Sequence, residues 1–271
     1  SPCVDHLCRQ LTIKQKKITR TSSPSLSFYG NEEELPGSKE DAPVSGAASQ
    51  NPTDKLITCE VAFFTDDASK DMDLTGDDIL KLNTTTLTKD KLNIQMAGSM
   101  LSDMSPERKE NLNVAVLHVG AQNFPTKTQH EFESMFKIYQ NFVGEVIKEC
   151  PRSSIVISSV LPRAGDDAYK EAINSCIDHF NDRLKKLSCE NDQNKSRLQY
   201  LDNDIHFKDE DDKVDKSLFD DPQAEGMQLN DEGRKRLKSG IIDAIKSVYY
   251  QDKLVDSMYA GMGDGHATSN S

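Results

Sequence analysis

The most restrictive feature of this chain is the segment 112–123, which reads L-N-V-A-V-L-H-V-G-A-Q-N. It is an almost unbroken run of aliphatic and β-branched residues that stops at Gly120 and ends in the amide of Asn123. A strand with both faces buried has this composition, because a parallel sheet covered by helices leaves no face for polar alternation. Open α/β sheets place their ligand-facing loops at the carboxyl ends of such strands. We therefore expect a parallel sheet whose functional edge includes Asn123.

The rest of the chain alternates strand-like and helix-like patterns. Besides the central strand at 114–119, the strand-like segments are 56–64, 80–87, 153–161 and 198–201. Segment 80–87 alternates with a period of two, which is typical of an edge strand. Apolar residues recur at three- and four-residue steps in predicted helices over about 132–147, 173–187 and 231–250. The alternation predicts right-handed crossovers and a three-layer α/β/α sandwich with a mostly parallel, five-stranded sheet.

Shorter elements and flanks complete this prediction. Asp67 is a candidate cap for a short helix that runs to about Leu74, Gly98 falls in a loop and short helix over 90–105, and Asn230 is the expected N-cap of the last helix. Residues 1–55 are rich in Ser, Pro, Gly and Glu and predict a disordered N-terminal arm. The folded domain is expected over 56–250, followed by a flexible C-terminal tail over 251–271.

Composition excludes several classes of function. No run approaches 18 apolar residues and no apolar centre of a signal peptide is present, so we expect a soluble protein without membrane contact. The six cysteines include no C-x₂-C pair, and we expect reduced thiols and an intracellular setting, cytoplasmic or nuclear. The net charge is −12, and residues 202–232 hold twelve Asp and Glu against three Lys. This balance makes nucleic acid an unlikely partner for the folded domain. No cofactor is predicted. A zinc site at Cys3, His6 and Cys8 would lack a second ligand pair.

Polar residues that follow the strands are the candidate site, because the carboxyl ends of parallel strands meet at one edge. The first strand is followed by Asp66 and Asp67, and the central strand by Gly120 and Asn123. Gly98 precedes the central strand. The segment before the last helix reads E-G-M-Q-L-N-D-E-G from Glu225, with Gln228 at its centre.

This order of segments resembles the SGNH/GDSL hydrolases over most of residues 57–248. In that family a G-D-S serine after the first strand is the nucleophile, a loop glycine and the asparagine of G-x-N-D form an oxyanion hole, and a segment before the last helix supplies the histidine base and its aspartate. The resemblance assigns the oxyanion roles to Gly98 and Asn123, and the aspartate position to Glu225. The phrases L-H-V-G-A-Q-N and S-S-V-L-P-R look like the SGNH domains of retrotransposon-type proteins.

The two positions that carry chemistry in the family differ in this chain. Asp67 stands at the nucleophile position and Gln228 at the base position. A neutral amide cannot take a hydroxyl proton near pH 7, and Asp67 has no alkoxide to offer. Removal of a triad member leaves only about 10³–10⁴-fold catalysis from the remaining groups. The sequence therefore predicts no confident catalytic residue and a ligand-binding edge at Asp66, Asp67, Gly98, Asn123 and Gln228.

Four alternatives would restore hydrolysis. Ser69 can replace the missing nucleophile, His118 or His206 can replace the missing base, and Asp67 can act as a carboxylate nucleophile with an activated water. We expect Ser69 to lie in a helical turn, His118 to be a hydrogen-bonded core residue, and His206 to need a folded-back acidic loop.

The acidic loop has its own alternatives. Residues 209–215 lack the glycine and terminal glutamate of an EF-hand, which favours a solvated surface over a calcium site. Asp66, Asp67 and Glu225 would attract a divalent cation only if the three carboxylates meet. No metal site is therefore predicted.

Three functional hypotheses follow. The first is a catalytically impaired SGNH-type domain, a pseudo-esterase retained for binding or left as a transposon-derived remnant. The second is an active esterase on O-acyl esters with a rearranged triad. The third is a protein-interaction module that binds a basic partner through the acidic loop over 202–221.

Overall fold

The structure is a computed structural model that describes residues 57–262, apart from 67–68, 70, 77–78, 125–128, 191–196 and 221–224. For 129–130, 190 and 254–262 it describes the backbone alone. The predicted arm over 1–55, the zinc alternative within it and the nucleophile-position residue Asp67 lie outside the described residues. No helix within the described part of the chain is long and apolar enough to span a membrane.

Five strands form one sheet, and every strand pair is parallel. The strands are β1 (Ile57–Thr65), β2 (Leu80–Leu87), β3 (Val114–His118), β4 (Ser154–Ser158) and β5 (Leu198–Leu201). Their order across the sheet is β2-β1-β3-β4-β5, so β3 is central and β2 is an edge strand, as predicted. All five residues of β3 are buried. The hydrophobic run over residues 112–119 is therefore covered on both faces.

Helices cover both faces of the sheet. They are α1 (Ile94–Asp103), α2 (Pro106–Asn111), α3 (Gln129–Glu149), α4 (Ala168–Glu190), α5 (Asp204–Phe207) and α6 (Asp231–Met262), with 3₁₀ turns at Ala121–Asn123 and Lys216–Leu218. Ala115 and Leu117 of β3 pack in one core with α1, α3 and α4. Val114 and Val116 point the other way, into a core completed by α5 and α6. The predicted three-layer α/β/α architecture is confirmed.

Two element boundaries differ from the prediction. The expected helix after β1 is wrong for the described residues there, which form turns in which Ser69 N–H donates to Asp66 O (3.3 Å) and Met72 N–H donates to Ser69 O (3.1 Å). Asp and Ser side chains compete for backbone hydrogen bonds and so disfavour helix. The last helix does not end at Tyr250 but continues to Met262, because no proline or glycine interrupts the chain until Gly261.

The 3₁₀ turn after β3 is anchored by an aromatic cluster. The Phe180 ring of α4 makes edge-to-face contacts with Phe124, directly after the turn, and with Phe132, Phe136 and Tyr139. Such pairs are worth about 0.5–1.5 kcal/mol each beyond their buried area. The loop that carries Asn123 is therefore held to a rigid helical layer.

Candidate functional site

A row of polar side chains ends three neighbouring strands on the face towards α6. Thr65, His118 and Ser158 are the last residues of β1, β3 and β4, and all three are buried. Thr65 and His118 are register partners, so their side chains share a face of the sheet. The Nδ1 atom of His118 lies 2.9 Å from Ser158 Oγ.

The hydrogen bonds around Ser158 determine which ring nitrogen of His118 carries the proton. Asn203 Nδ2 donates to the carbonyl of Ser159 (2.8 Å), which can only accept, so the orientation of this amide is fixed. The same Nδ2 donates to Ser158 Oγ (2.9 Å). His118 Nδ1 is the only acceptor that the described residues offer to the hydrogen of the Ser158 hydroxyl, so we infer that Nδ1 accepts this hydrogen and that the neutral ring is protonated at Nε2. Burial lowers the pKa of His118 to about 4, so the ring is uncharged near pH 7.

A narrow cleft opens beside this row. Its cavity volume, counted as the space open to the centre of a water molecule, is about 20 Å³, which is enough for one water or a small ligand group. Its polar residues are Asp66, His118 and Arg163. The remaining wall is apolar and consists of Val119, Ala121, Val160, Leu161, Pro162 and Met227. Three segments remote in sequence, after β1, after β3 and before α6, therefore meet at one edge, as the parallel topology predicts.

Arg163 is held in the cleft by its backbone and its guanidinium. Its N–H donates to Asn174 Oδ1 (2.7 Å), and Asn174 Nδ2 returns a bond to its carbonyl (2.9 Å). Nη2 donates to Ala121 O (3.2 Å), whereas the buried Nε has no hydrogen-bond partner among the described residues. Burial lowers the pKa of Arg163, and nearby Tyr169, Glu225 and Asp66 act in the opposite direction. The side chain is 8% exposed.

Asn123 lies in the expected loop, but its side chain is hydrogen-bonded to α1. Its Oδ1 accepts from Ile94 N–H (3.1 Å) at the first residue of that helix, and its Nδ2 donates to Gln95 Oε1 (3.3 Å). Gly98 lies in the middle of α1, where its backbone N–H is bonded within the helix and is not free to donate to an oxyanion. A Cβ added to Gly98 would face Glu145 and Phe142 of α3 rather than the cleft.

The segment before α6 places Met227, and not the base-position residue Gln228, at the cleft. Gly226 has φ +64° and its carbonyl accepts from Ala164 N–H (2.9 Å). An added Cβ there would lie 2.0 Å from Ala164 O, so only glycine fits. This contact places Met227 on the cleft wall, while Gln228 is exposed and its carbonyl accepts from Asp220 N–H (3.0 Å). The exposed Glu225 acts on Arg163 only through its charge.

The residues considered as replacements for the triad have other contacts. Ser69 is buried, and its Oγ lies 2.5 Å from Thr65 Oγ1. His118 is a hydrogen-bonded buried residue, as expected. His206 lies in α5 against Gly240 of α6, and burial, then the charge of Arg236, lowers its pKa. It does not line the cleft.

The acidic loop is held by ion pairs with Lys208, a lysine of the same loop. Lys208 Nζ, with a side chain 6% exposed, lies 2.7 Å from Asp178, 3.2 Å from Asp204 and 3.6 Å from Asp212. Asp209 accepts from the backbone N–H groups of Asp211 and Lys213 at 2.9 Å, which closes a tight turn. The described residues contain no group of His, Cys, Asp and Glu arranged to hold a metal ion.

Sequence reasoning missed Arg163, Ser158 and Asn203. Ser158 and Ser159 interrupt a buried strand exactly at its carboxyl end, and that polarity is a usable signal. Arg163 follows Pro162 in a segment cited only for its resemblance to other domains. Nothing in the local sequence indicates that two asparagines of α4 fix the loop that carries it, Asn174 through the backbone of Arg163 and Asn181 through the backbone of Val160.

Comparison with known proteins bears on the fold. No protein-family model and no curated protein matches the chain. A solved structure of a GDSL-like lipase from Bacteroides thetaiotaomicron is 13% identical, covers 69% of this chain and 88% of its own, and has a TM-score of 0.53. An acetyl xylan esterase is 18% identical over 68% of this chain and 98% of its own, with a TM-score of 0.51. The chain therefore has the fold of the SGNH/GDSL hydrolases.

Proposed function

We propose that this chain is an SGNH-fold domain that binds a ligand at its strand-end cleft and does not turn over esters. The observation that carries the proposal is the state of His118. It lines the cleft, its Nδ1 lies 2.9 Å from Ser158 Oγ, and the bonds that Asn203 donates to Ser158 and Ser159 favour the tautomer that is protonated at Nε2. A neutral ring with a proton on its accessible nitrogen is a hydrogen-bond donor. A general base needs a free lone pair there and a pKa near 7.

The family-equivalent positions support the same reading. Asn123 is the expected oxyanion donor, but both ends of its side-chain amide are hydrogen-bonded to α1. Gln228 at the base position is an exposed amide, and Asp67 at the nucleophile position is a carboxylate. Asp66 is buried in the cleft, beside the charge of Arg163. Such a site suits recognition better than acyl transfer, and a transposon-derived origin with lost chemistry is consistent with it.

The test is turnover of p-nitrophenyl acetate by the full chain. We expect a rate equal to that of a Ser69→Ala, Ser158→Ala double variant, because the described residues give Ser69 no imidazole partner, and Ser158 is fully buried against His118, whose pKa of about 4 makes it a weak base. Turnover well above that of the double variant would overturn the proposal.

An active acyl hydrolase with a rearranged triad is the second candidate, and one contact favours it. Ser69 Oγ lies 2.5 Å from Thr65 Oγ1, and Thr65 is the register partner of His118. This candidate predicts covalent labelling by a fluorophosphonate, lost in Ser69→Ala and kept in Ser153→Ala. Equal or no labelling of both variants would exclude Ser69 as the nucleophile.

The third candidate is protein binding through the acidic loop. The exposed carboxylates of its 208–214 turn favour a basic partner, but Asp202, Asp204 and Asp215 of the same loop are already paired with lysine or arginine of the domain. Salt-sensitive binding to a lysine-rich peptide, lost when Asp209, Glu210 and Asp211 are neutralised, would support it.

A further inference from the structure

Nε2 of His118 is a polar atom of the cleft that the fold leaves for a ligand. The other ring nitrogen, Nδ1, lies 2.9 Å from Ser158 Oγ. Within the described part of the chain Nε2 has no hydrogen-bond partner, yet it is not one of the unpartnered polar atoms that are fully buried there. It therefore keeps accessible surface, and the cleft is a cavity that His118 lines. Because Nε2 carries the proton of the neutral ring, the cleft offers an N–H donor to an acceptor atom.

The charges around this donor sum to a negative value. Arg163 brings one positive charge, but its Nε is fully buried and cannot reach a ligand, and its Nη2 donates to Ala121 O (3.2 Å). The carboxylates of Asp66 and Glu225 lie within electrostatic reach of the same guanidinium. One positive charge against two negative ones makes the cleft net negative.

These two features together exclude charged ligands. An anion would be repelled by the net negative charge. An ammonium group has no lone pair, so it would present a second donor to the N–H of His118. A neutral group with an acceptor atom is compatible with both features.

A hydroxyl group fits better than a carbonyl group among the neutral acceptors. The oxygen of either group can accept the hydrogen of His118 Nε2. A hydroxyl can also turn its own hydrogen towards the negative charges of the cleft, whereas a carbonyl oxygen has only the negative end of its dipole to present. The donor and the surrounding charge therefore favour the same ligand group, an alcohol.

The apolar wall limits what the hydroxyl can be attached to. Val119, Val160 and Leu161 are buried, and Met227 is a half-buried, unbranched side chain that can adapt to a small ligand. The cavity volume of about 20 Å³ admits a hydroxyl with a short alkyl chain and is too small for a sugar or an aromatic ring.

We propose that the cleft binds the hydroxyl group of a short, uncharged aliphatic alcohol, whose oxygen accepts the hydrogen of His118 Nε2. The inference rests on the proposed binding function and adds the chemical class of the ligand. It makes His118 a ligand-binding residue, although the resemblance to the SGNH/GDSL hydrolases assigns it no role.

The experiment compares three ligands that share a propyl-sized skeleton and differ in charge. They are 1-propanol, sodium propionate and propylammonium chloride, each titrated into the full chain at equal ionic strength and followed by ¹H–¹⁵N NMR. We expect saturable shifts with 1-propanol and a Kd on the order of 10 mM. Each of the two ions should bind at least about 10-fold more weakly.

Two substitutions test whether the cleft is the binding site. His118→Phe keeps an aromatic ring but removes the N–H donor, and it should weaken binding of 1-propanol about 10-fold. Met227→Trp fills the cleft from a half-buried position and should abolish binding, which keeps the test informative if His118→Phe does not fold. Met100→Trp enlarges a half-buried methionine of α1 that does not line the cleft, and this control should bind normally.

Three results would overturn this inference. They are no saturation by 1-propanol up to about 200 mM, binding of either ion as tight as that of 1-propanol, and equal binding by Met227→Trp and Met100→Trp. Turnover of p-nitrophenyl acetate bears on the proposed function alone. Turnover above the level of the double serine variant would defeat the proposed function, whereas no turnover together with no saturation by 1-propanol would defeat only the ligand assignment.

Discussion

The strand-end cleft and the acidic loop handle polar groups in opposite ways. The cleft holds three polar side chains, Asp66, His118 and Arg163, each more than nine-tenths buried. The loop displays many carboxylates, and much of their charge is met by Lys185, Lys208 and Arg236 or by water. A few polar groups buried in an apolar wall define a site, whereas many paired or solvated charges define a surface. This difference predicts large effects in the cleft and small ones in the loop.

The largest effect is expected from Ser158→Ala. The substitution leaves His118 Nδ1 without a donor and removes one of the two acceptors of Asn203 Nδ2. Loss of buried hydrogen bonds of this kind should lower the free energy of unfolding by about 3 kcal/mol. Urea unfolding at pH 7 measures it.

The matched control is Ser153→Ala. This buried serine makes a single bond to the carbonyl of Cys150 (3.0 Å), and its loss should cost about 1 kcal/mol. Equal losses for the two variants would show that the Ser158 network has no special role.

The second effect is a dependence of stability on pH. The pKa of His118 is lowered by burial from 6.5 to about 4, so between these values the unfolded chain binds more protons than the folded one. Stability is therefore complete above pH 6.5 and falls as the pH drops towards 4, by at most roughly 3 kcal/mol. Urea unfolding at pH 7, 5.5 and 4.5 measures this, and His118→Asn should flatten the curve.

Asp204 tests the direction in which stability changes with pH. Burial raises its pKa to about 6, so its contribution runs the other way and disfavours folding as the pH rises through this value. Asp204→Asn should therefore steepen the loss of stability on acidification. A shallower loss would contradict the assignment of the two groups.

A smaller effect is expected in the acidic loop. Lys208→Met removes a buried ammonium but leaves Asp178, which is 43% exposed and can be solvated, so the cost should be about 1–2 kcal/mol. Asp211→Asn, on the exposed side of the turn, should change the free energy of unfolding by less than about 0.5 kcal/mol. Chemical denaturation of both variants in low and high salt tests the ranking. A larger effect for Asp211 would mean that the exposed turn is an integral part of the fold.

The fold could be predicted from sequence because its signals are local. The buried run at 112–119 specifies the central strand, and three-to-four periodicity specifies α3, α4 and α6. Two boundaries were wrong where local signals were ambiguous: the Asp- and Ser-rich turn after β1, and the α6 extension past Tyr250.

The candidate site could be predicted only in part. The meeting of segments at one edge follows from parallel topology, so the places of Asp66 and the segment before α6 could be anticipated. The hydrogen-bond partners of each side chain could not be anticipated. Asn123 is bonded to the first turn of α1, and Gly98 lies inside that helix. Tertiary contacts decide these hydrogen-bond partners. Arg163 enters the cleft because Asn174 fixes its backbone, a contact between residues eleven positions apart.

The protonation state of His118 distinguishes ligand binding from hydrolysis, and ¹⁵N NMR of the imidazole measures it directly. We predict the Nε2–H tautomer, with Nδ1 accepting from Ser158, from pH 8 down to about pH 5. A ring that is protonated at Nδ1, or that becomes charged near pH 6.5, would contradict it. That result would make His118 available as a general base and favour hydrolysis over binding.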